Sequence, residues 1–74
     1  MSGWYQIRVK GHLDRRHEEW LTGFTMNHLP NGETILIGRL PDQAALYGLL
    51  LRIRDLGIPL LSVNNIDPNA INPE

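Results

Sequence analysis

The chain has 74 residues, no cysteine and a formal net charge of −1, from seven lysines and arginines against eight aspartates and glutamates. This length predicts one domain with a thin core, and the missing cysteines exclude disulfides and thiolate metal sites. The balanced charge argues against a general nucleic-acid-binding protein, and no apolar stretch approaches the roughly 20 residues that cross a bilayer.

The first predicted element is a strand from Trp4 to Leu13, in which apolar and polar residues alternate. Gly11 inside this strand suggests a bulge or a close backbone approach. The segment from Asp14 to Leu21 predicts one to two helical turns, with Asp14 as the N-cap and Gly23 as the helix end.

Two further strands are predicted, Phe24 to Leu29 and Glu33 to Leu40, joined by a tight hairpin turn. Asn31 and Gly32 are expected to supply the positive φ angles of that turn. The second of these strands carries apolar residues on both faces, with Leu36 and Leu40 on one and Ile35 and Ile37 on the other.

The strongest pattern is an amphipathic helix from Asp42 to Leu56, with Asp42 as the N-cap and Gly57 just past the end. Gly48 lies in the middle of this helix, where glycine costs about 1 kcal/mol relative to alanine. We expect it to allow a close approach to the sheet or to another helix, or to leave room for a ligand. The apolar stripe consists of Ala45, Leu46, Leu49, Leu50, Ile53 and Leu56.

A last strand is predicted from Leu60 to Ile66. Residues 1–66 then form a single α+β domain, and the Pro/Asn-rich residues 67–74 are expected to form a flexible C-terminal tail.

The order of elements predicts a ferredoxin-like βαββαβ fold with a short first helix and a four-stranded antiparallel sheet. Both helical segments would lie on one face of the sheet, and the strand order would be fourth, first, third, second. The alternative is a βββαβ sheet with a single helix.

In either arrangement, one face of the sheet has no helix to cover it. Apolar patches on such faces usually mark contact surfaces, so we expect a homodimer that associates through this face. The candidate interface residues are Trp4, Arg8, Lys10, His12, Ile35 and Ile37.

Two other functions are considered. A small enzyme could use a site near His12, Asp14 and His28, although the histidine spacing matches no known metal-ligand pattern, and neither a metal nor a cofactor is predicted. Nucleic acid could bind the open sheet face, but Ile35 and Ile37 lie where an RNA-binding sheet would carry aromatic residues, which makes this function improbable.

Three runs of the sequence resemble a widespread group of short, uncharacterised bacterial proteins. These runs are YQIRVKGHL from residue 5, DQAALYGLL from residue 42 and IRDLGIPLLSV from residue 53, and the resemblance covers residues 4 to about 66. Members often carry a W-x-x-W-F cluster, where this chain has His17, Trp20 and Leu21. The resemblance supplies no catalytic or binding residues.

Together these patterns predict a non-enzymatic interaction or regulatory module in the cytoplasm, with no membrane association. Its partner would be a second copy of the chain, another protein or a small molecule.

Overall fold

The computed structural model describes residues 3–21 and 23–66. Strands β1 (Gly3–Lys10), β2 (Phe24–His28), β3 (Glu33–Leu40) and β4 (Leu60–Ile66) accompany a 3₁₀ helix (Arg15–Glu19) and one α-helix, α1 (Gln43–Asp55). The predicted tail, residues 67–74, lies outside the described residues.

The four strands form one antiparallel sheet in the order β2-β3-β1-β4, so β2 and β4 are its edges. This order is the predicted one, read from the other edge. The fold is therefore α+β, with one α-helix packed on one face of a four-stranded sheet.

The first helical segment is a five-residue 3₁₀ helix rather than an α-helix. Its sequence, RRHEE, contains no apolar residue, and a segment this short cannot offset the cost of nucleating an α-helix. Asp14 is its N-cap, as predicted, and accepts a hydrogen bond from the backbone N–H of Arg16 at 3.2 Å.

β1 ends at Lys10, three residues before the predicted end at Leu13. Gly11 has φ +95° and turns the chain out of the strand. The fully buried Thr34 fixes this turn: its hydroxyl donates to the Gly11 carbonyl at 2.7 Å and accepts from the Leu13 N–H at 3.3 Å. Leu13 thereby enters the core from beyond the strand.

The loop of the β2–β3 hairpin consists of three residues, 30–32, between Leu29 and Glu33, which are joined by a backbone hydrogen bond. Gly32 N–H donates to the Leu29 carbonyl at 3.1 Å, and Leu29 N–H donates to the Glu33 carbonyl at 2.7 Å. Among the described residues only glycines have positive φ, so the expectation for Asn31 was wrong and Gly32 alone adopts that conformation. Asn31 instead accepts from the Glu33 N–H through its side chain at 3.1 Å. The turn thus needs one left-handed residue.

The core lies between the sheet and α1. Three fully buried residues meet there: Ile7 of β1, Leu36 of β3 and Ile53 of α1. Leu13 and Leu21 join the same cluster from either side of the 3₁₀ helix, so both helical segments lie on one side of the sheet. The core side chains are Tyr5, Ile7, Val9, Leu13, Leu21, Leu36, Leu40, Leu46, Leu49 and Ile53.

The ends of α1 agree with the prediction. The Asp42 carboxylate accepts from the Ala45 N–H at 2.8 Å, and Gly57 follows the helix with φ +74°. Leu56 departs from the prediction, because it is the C-cap, where the helix has already ended, and it is 47% exposed.

Gly48 is exposed, and a Cβ built on it would meet nothing within 4 Å. The prediction of a close approach at this position was therefore wrong. The close approach in this fold is at the buried Gly38, where an added Cβ would lie 2.5 Å from Cγ of Phe24. The Phe24 ring lies over the glycine of the neighbouring strand.

Trp20 connects the 3₁₀ segment to α1. Its indole N–H donates to Nδ1 of His17 at 3.1 Å, and the guanidinium of Arg52 lies 5.2 Å from its ring centroid. Arg52 on the last turns of the helix therefore contacts the segment that follows β1.

Candidate interaction site

The open sheet face, defined here as the outward residues of the four strands opposite α1, carries a row of apolar side chains. Trp4 is opposite Arg39 on one side and Ile66 on the other, and Arg8 is opposite Ile35. Trp4 is 36% exposed, whereas Ile35 and Ile66 are half-buried, as is Ile37. The apolar residues of this face thus lie on three strands, Trp4 on β1, Ile35 and Ile37 on β3, and Ile66 on β4.

This face also carries charge. Arg8, Lys10 and Arg39 lie on it with one carboxylate, Glu33, by strand alternation. Nε of Arg8 lies 3.6 Å from Oε1 of Glu33, and these two atoms have almost no contact with solvent. The two side chains as a whole are 41% and 24% exposed, and an ion pair between partly exposed side chains contributes at most about 1 kcal/mol. The face has three cations and one anion on its two central strands.

His12 does not lie on the open sheet face, in contrast to its predicted position. After the turn at Gly11 its imidazole stacks on that of His28, with centroids 4.6 Å apart and planes 7° from parallel. Nε2 of His12 donates to the Leu29 carbonyl at 2.8 Å, and Nε2 of His28 donates to the Leu13 carbonyl at 3.1 Å. The stacked pair joins the hairpin loop to the chain that leaves β1.

The predicted enzyme site is only partly assembled. His12 and His28 are in contact, but the Asp14 carboxylate caps the 3₁₀ helix and pairs with Arg16 at 3.5 Å on the surface. Within the described part of the chain, no group of three or more His, Cys, Asp or Glu side chains could hold a metal ion. Each imidazole already uses Nε2 for a backbone contact.

A second apolar surface lies on the other side of the molecule, and sequence reasoning missed it. A groove of about 600 Å³ runs between α1 and the start of β4. Arg54 is the charged residue in its lining, and this guanidinium hydrogen-bonds Asp55 at 3.1 Å. The lining residues are Tyr47, Leu50, Leu51, Arg54, Gly57, Ile58, Pro59 and Leu60.

Exposed large apolar side chains lie in this groove and close to it in the chain, and Tyr47, Leu51 and Leu60 are part of its lining. Six are exposed among the described residues, and five of them lie on α1, at its C-cap or at the start of β4. We call these five the α1–β4 surface: Tyr47 (57% exposed), Leu51 (49%), Leu56 (47%), Leu60 (45%) and Leu61 (45%).

A signal for this surface exists in the sequence. Tyr47 and Leu51 are apolar but lie outside the buried stripe of Leu46, Leu49 and Ile53, so they project from another side of the helix. A helix with apolar residues on two sides contacts more than its own sheet or leaves apolar surface exposed.

Fold and surfaces together define a small α+β domain with two exposed apolar surfaces. The family model for a domain of unknown function (DUF8691) matches residues 4–64, which span most of the chain. The chain belongs to this family. Comparisons with curated proteins and with solved structures found no similar protein. No described helix has the length and apolar character needed to cross a membrane.

Proposed function

We propose that this chain is a non-enzymatic interaction module that associates with a second copy of itself. One observation supports the proposal: the described residues of this 74-residue chain include six large apolar side chains, from Trp4 to Leu61, that are 36–57% exposed. Exposed apolar patches mark contact surfaces in small soluble domains. A domain of this size also gains stability when association extends its core.

At the level of the fold, we propose that the domain is a reduced ferredoxin-like unit. The strand order β2-β3-β1-β4 with antiparallel neighbours supports this description. The 3₁₀ helix takes the place of the first α-helix between β1 and β2. Small domains of this architecture pair readily because one sheet face and two sheet edges remain uncovered.

Self-association is tested by light scattering on the wild-type chain over a concentration series. We expect the mass of two chains at tens of micromolar and a return toward the mass of one chain on dilution. The mass of one chain at every concentration would contradict the proposal.

The sequence predicts the open sheet face as the contact surface, and Ile37 lies half-buried on this face in the interior strand β3. If this face is the interface, Ile37→Lys places a charge within it and weakens association, whereas Ile37→Val keeps the apolar contact and serves as the control. Circular dichroism shows whether both variants fold.

A further inference from the structure

We infer that the second copy docks on the α1–β4 surface, with the two β4 strands paired edge to edge into one continuous eight-stranded sheet. This inference rests on the proposed self-association and names a surface other than the open sheet face. Three features of the molecule support it: the edge strand β4, the exposed apolar side chains beside it, and the different charge of the two candidate surfaces.

β4 is an edge strand that lacks two of the features that keep edges apart, charged residues and proline. Its sequence, LLSVNNI, contains no charged residue and no proline. Monomeric proteins protect long edges with lysine, proline or very short strands, and the other edge, β2, has only five residues. β4 has one irregularity, because Leu60 pairs with Val9 and Ser62 with Arg8, so that Leu61 bulges out. Among the described residues, 62–66 form a regular edge with no strand paired on the side away from β1.

Symmetry favours an identical partner at this edge. Two copies of one strand related by a twofold axis perpendicular to the sheet are antiparallel, which is the direction of every neighbouring pair in this sheet. The same axis puts both α1 helices on one side of the joined sheet. The two grooves then lie on the same side of the joined sheet, and the starts of the two β4 strands, with Leu60 and Leu61, lie toward opposite ends of the seam.

The apolar area exposed beside β4 is comparable with that of a small specific interface. Five side chains are each about half exposed at this surface. Burying them on both copies removes on the order of 1,000 Å² from water, which is the lower limit for a specific interface, before the strand backbones are counted. Strand pairing adds backbone hydrogen bonds to this contact.

Charge separates the two candidate surfaces. A twofold contact through the open sheet face would remove from water two copies of a surface that carries Arg8, Lys10, Arg39 and Glu33, and removing charged groups from water is unfavourable even where they are paired. At the α1–β4 surface the charged lining residue, Arg54, is paired with Asp55 of its own chain. A second copy can approach this surface without facing an excess of its own charge.

The test compares dimer dissociation constants, measured by analytical ultracentrifugation, for four lysine variants. Leu61→Lys and Tyr47→Lys should each raise the dissociation constant at least tenfold. Ile37→Lys on the open sheet face and Asn27→Lys on the opposite edge strand should leave it within twofold. Asn27→Lys is the matched control, since it adds the same charge to an exposed strand position far from β4.

The outcomes separate the inference from the proposed function. If Ile37→Lys, alone or together with Asn27→Lys, weakens the dimer while Leu61→Lys and Tyr47→Lys do not, or if no variant weakens it, the inference is overturned while self-association stands. A wild-type chain that remains monomeric at millimolar concentration overturns both. If Leu61→Lys or Tyr47→Lys fails to fold by circular dichroism, Leu61→Ser and Tyr47→Ser replace them with the same expectation, because both side chains are exposed in one copy.

Discussion

Gly38 has no room for a side chain, because the ring of Phe24 lies where a Cβ would be. Gly38→Ala must therefore displace the ring or the strand, and overpacking of this kind costs about 1–3 kcal/mol. Urea unfolding monitored by circular dichroism should show that loss of stability.

The matched control is Gly48→Ala, since a Cβ at Gly48 meets nothing within 4 Å. In an exposed helix interior alanine is favoured over glycine by about 1 kcal/mol, so this variant should be more stable than the wild type. A stability loss for Gly48→Ala, or no loss for Gly38→Ala, would contradict the described packing.

Thr34 is a buried polar residue whose hydroxyl joins Gly11 to Leu13. Thr34→Val keeps the shape but leaves the Gly11 carbonyl and the Leu13 N–H without that partner, at a cost of about 1–3 kcal/mol. Thr34→Ser retains the hydroxyl and should lose less. Equal stability of the Val variant and the wild type in urea unfolding would show that the hydroxyl does not hold the turn.

At the residue scale, sequence patterns located the helix caps but could not assign the glycines. Asp14 and Asp42 cap helices because a carboxylate in that position bonds to nearby N–H groups, which is a local property. What lies over Gly38 in β3 and over Gly48 in α1 depends on residues elsewhere in the chain, such as Phe24 over Gly38. The bond from Thr34 to Gly11 is likewise a contact over 23 residues.

At the scale of elements, Trp20 and Arg52 link the 3₁₀ segment to α1 through a cation–π contact of 5.2 Å. We expect a coupling free energy of about 0.5–1 kcal/mol between them. A double-mutant cycle with Trp20→Leu and Arg52→Gln, measured by urea unfolding, gives this value. Additive effects of the two substitutions would mean that the contact contributes nothing.

Periodicity and turn chemistry predicted β2, β3, β4 and α1 to within a residue or so at each end, because these elements alternate or recur with clear boundaries. The end of β1 was misplaced, since the alternation continues through Gly11 to Leu13 while the backbone has already turned. His12 was assigned to the open sheet face for the same reason, and it stacks on His28 instead.

At the scale of the whole molecule, the strand order followed from chain connectivity and the handedness of crossovers. The groove between α1 and β4 could not be predicted in this way, because it depends on how much of the sheet the helix covers. Leu56 was assigned to the buried stripe and is exposed, while Tyr47 and Leu51 extend the apolar surface outward. Most of the exposed large apolar side chains among the described residues therefore lie on α1 and at the start of β4, and not on the open sheet face.

A dimer paired at β4 would also change the open sheet face. The two β1 strands would be separated by the two β4 strands, about 14 Å apart at the usual strand spacing. Trp4, Arg8 and Lys10 of both copies would then lie on one continuous surface. That surface would be twice as large as in one copy and available to a further partner.

Hydrogen exchange of the β4 backbone amides, followed by NMR at low and high protein concentration, tests edge pairing most directly. Amides that point away from β1 in residues 62–66 should exchange fast in the dilute chain and slowly in the concentrated one, while β2 amides do not change. Equal exchange of the β4 amides at both concentrations, with a dimer present by light scattering, would contradict the pairing of β4 strands.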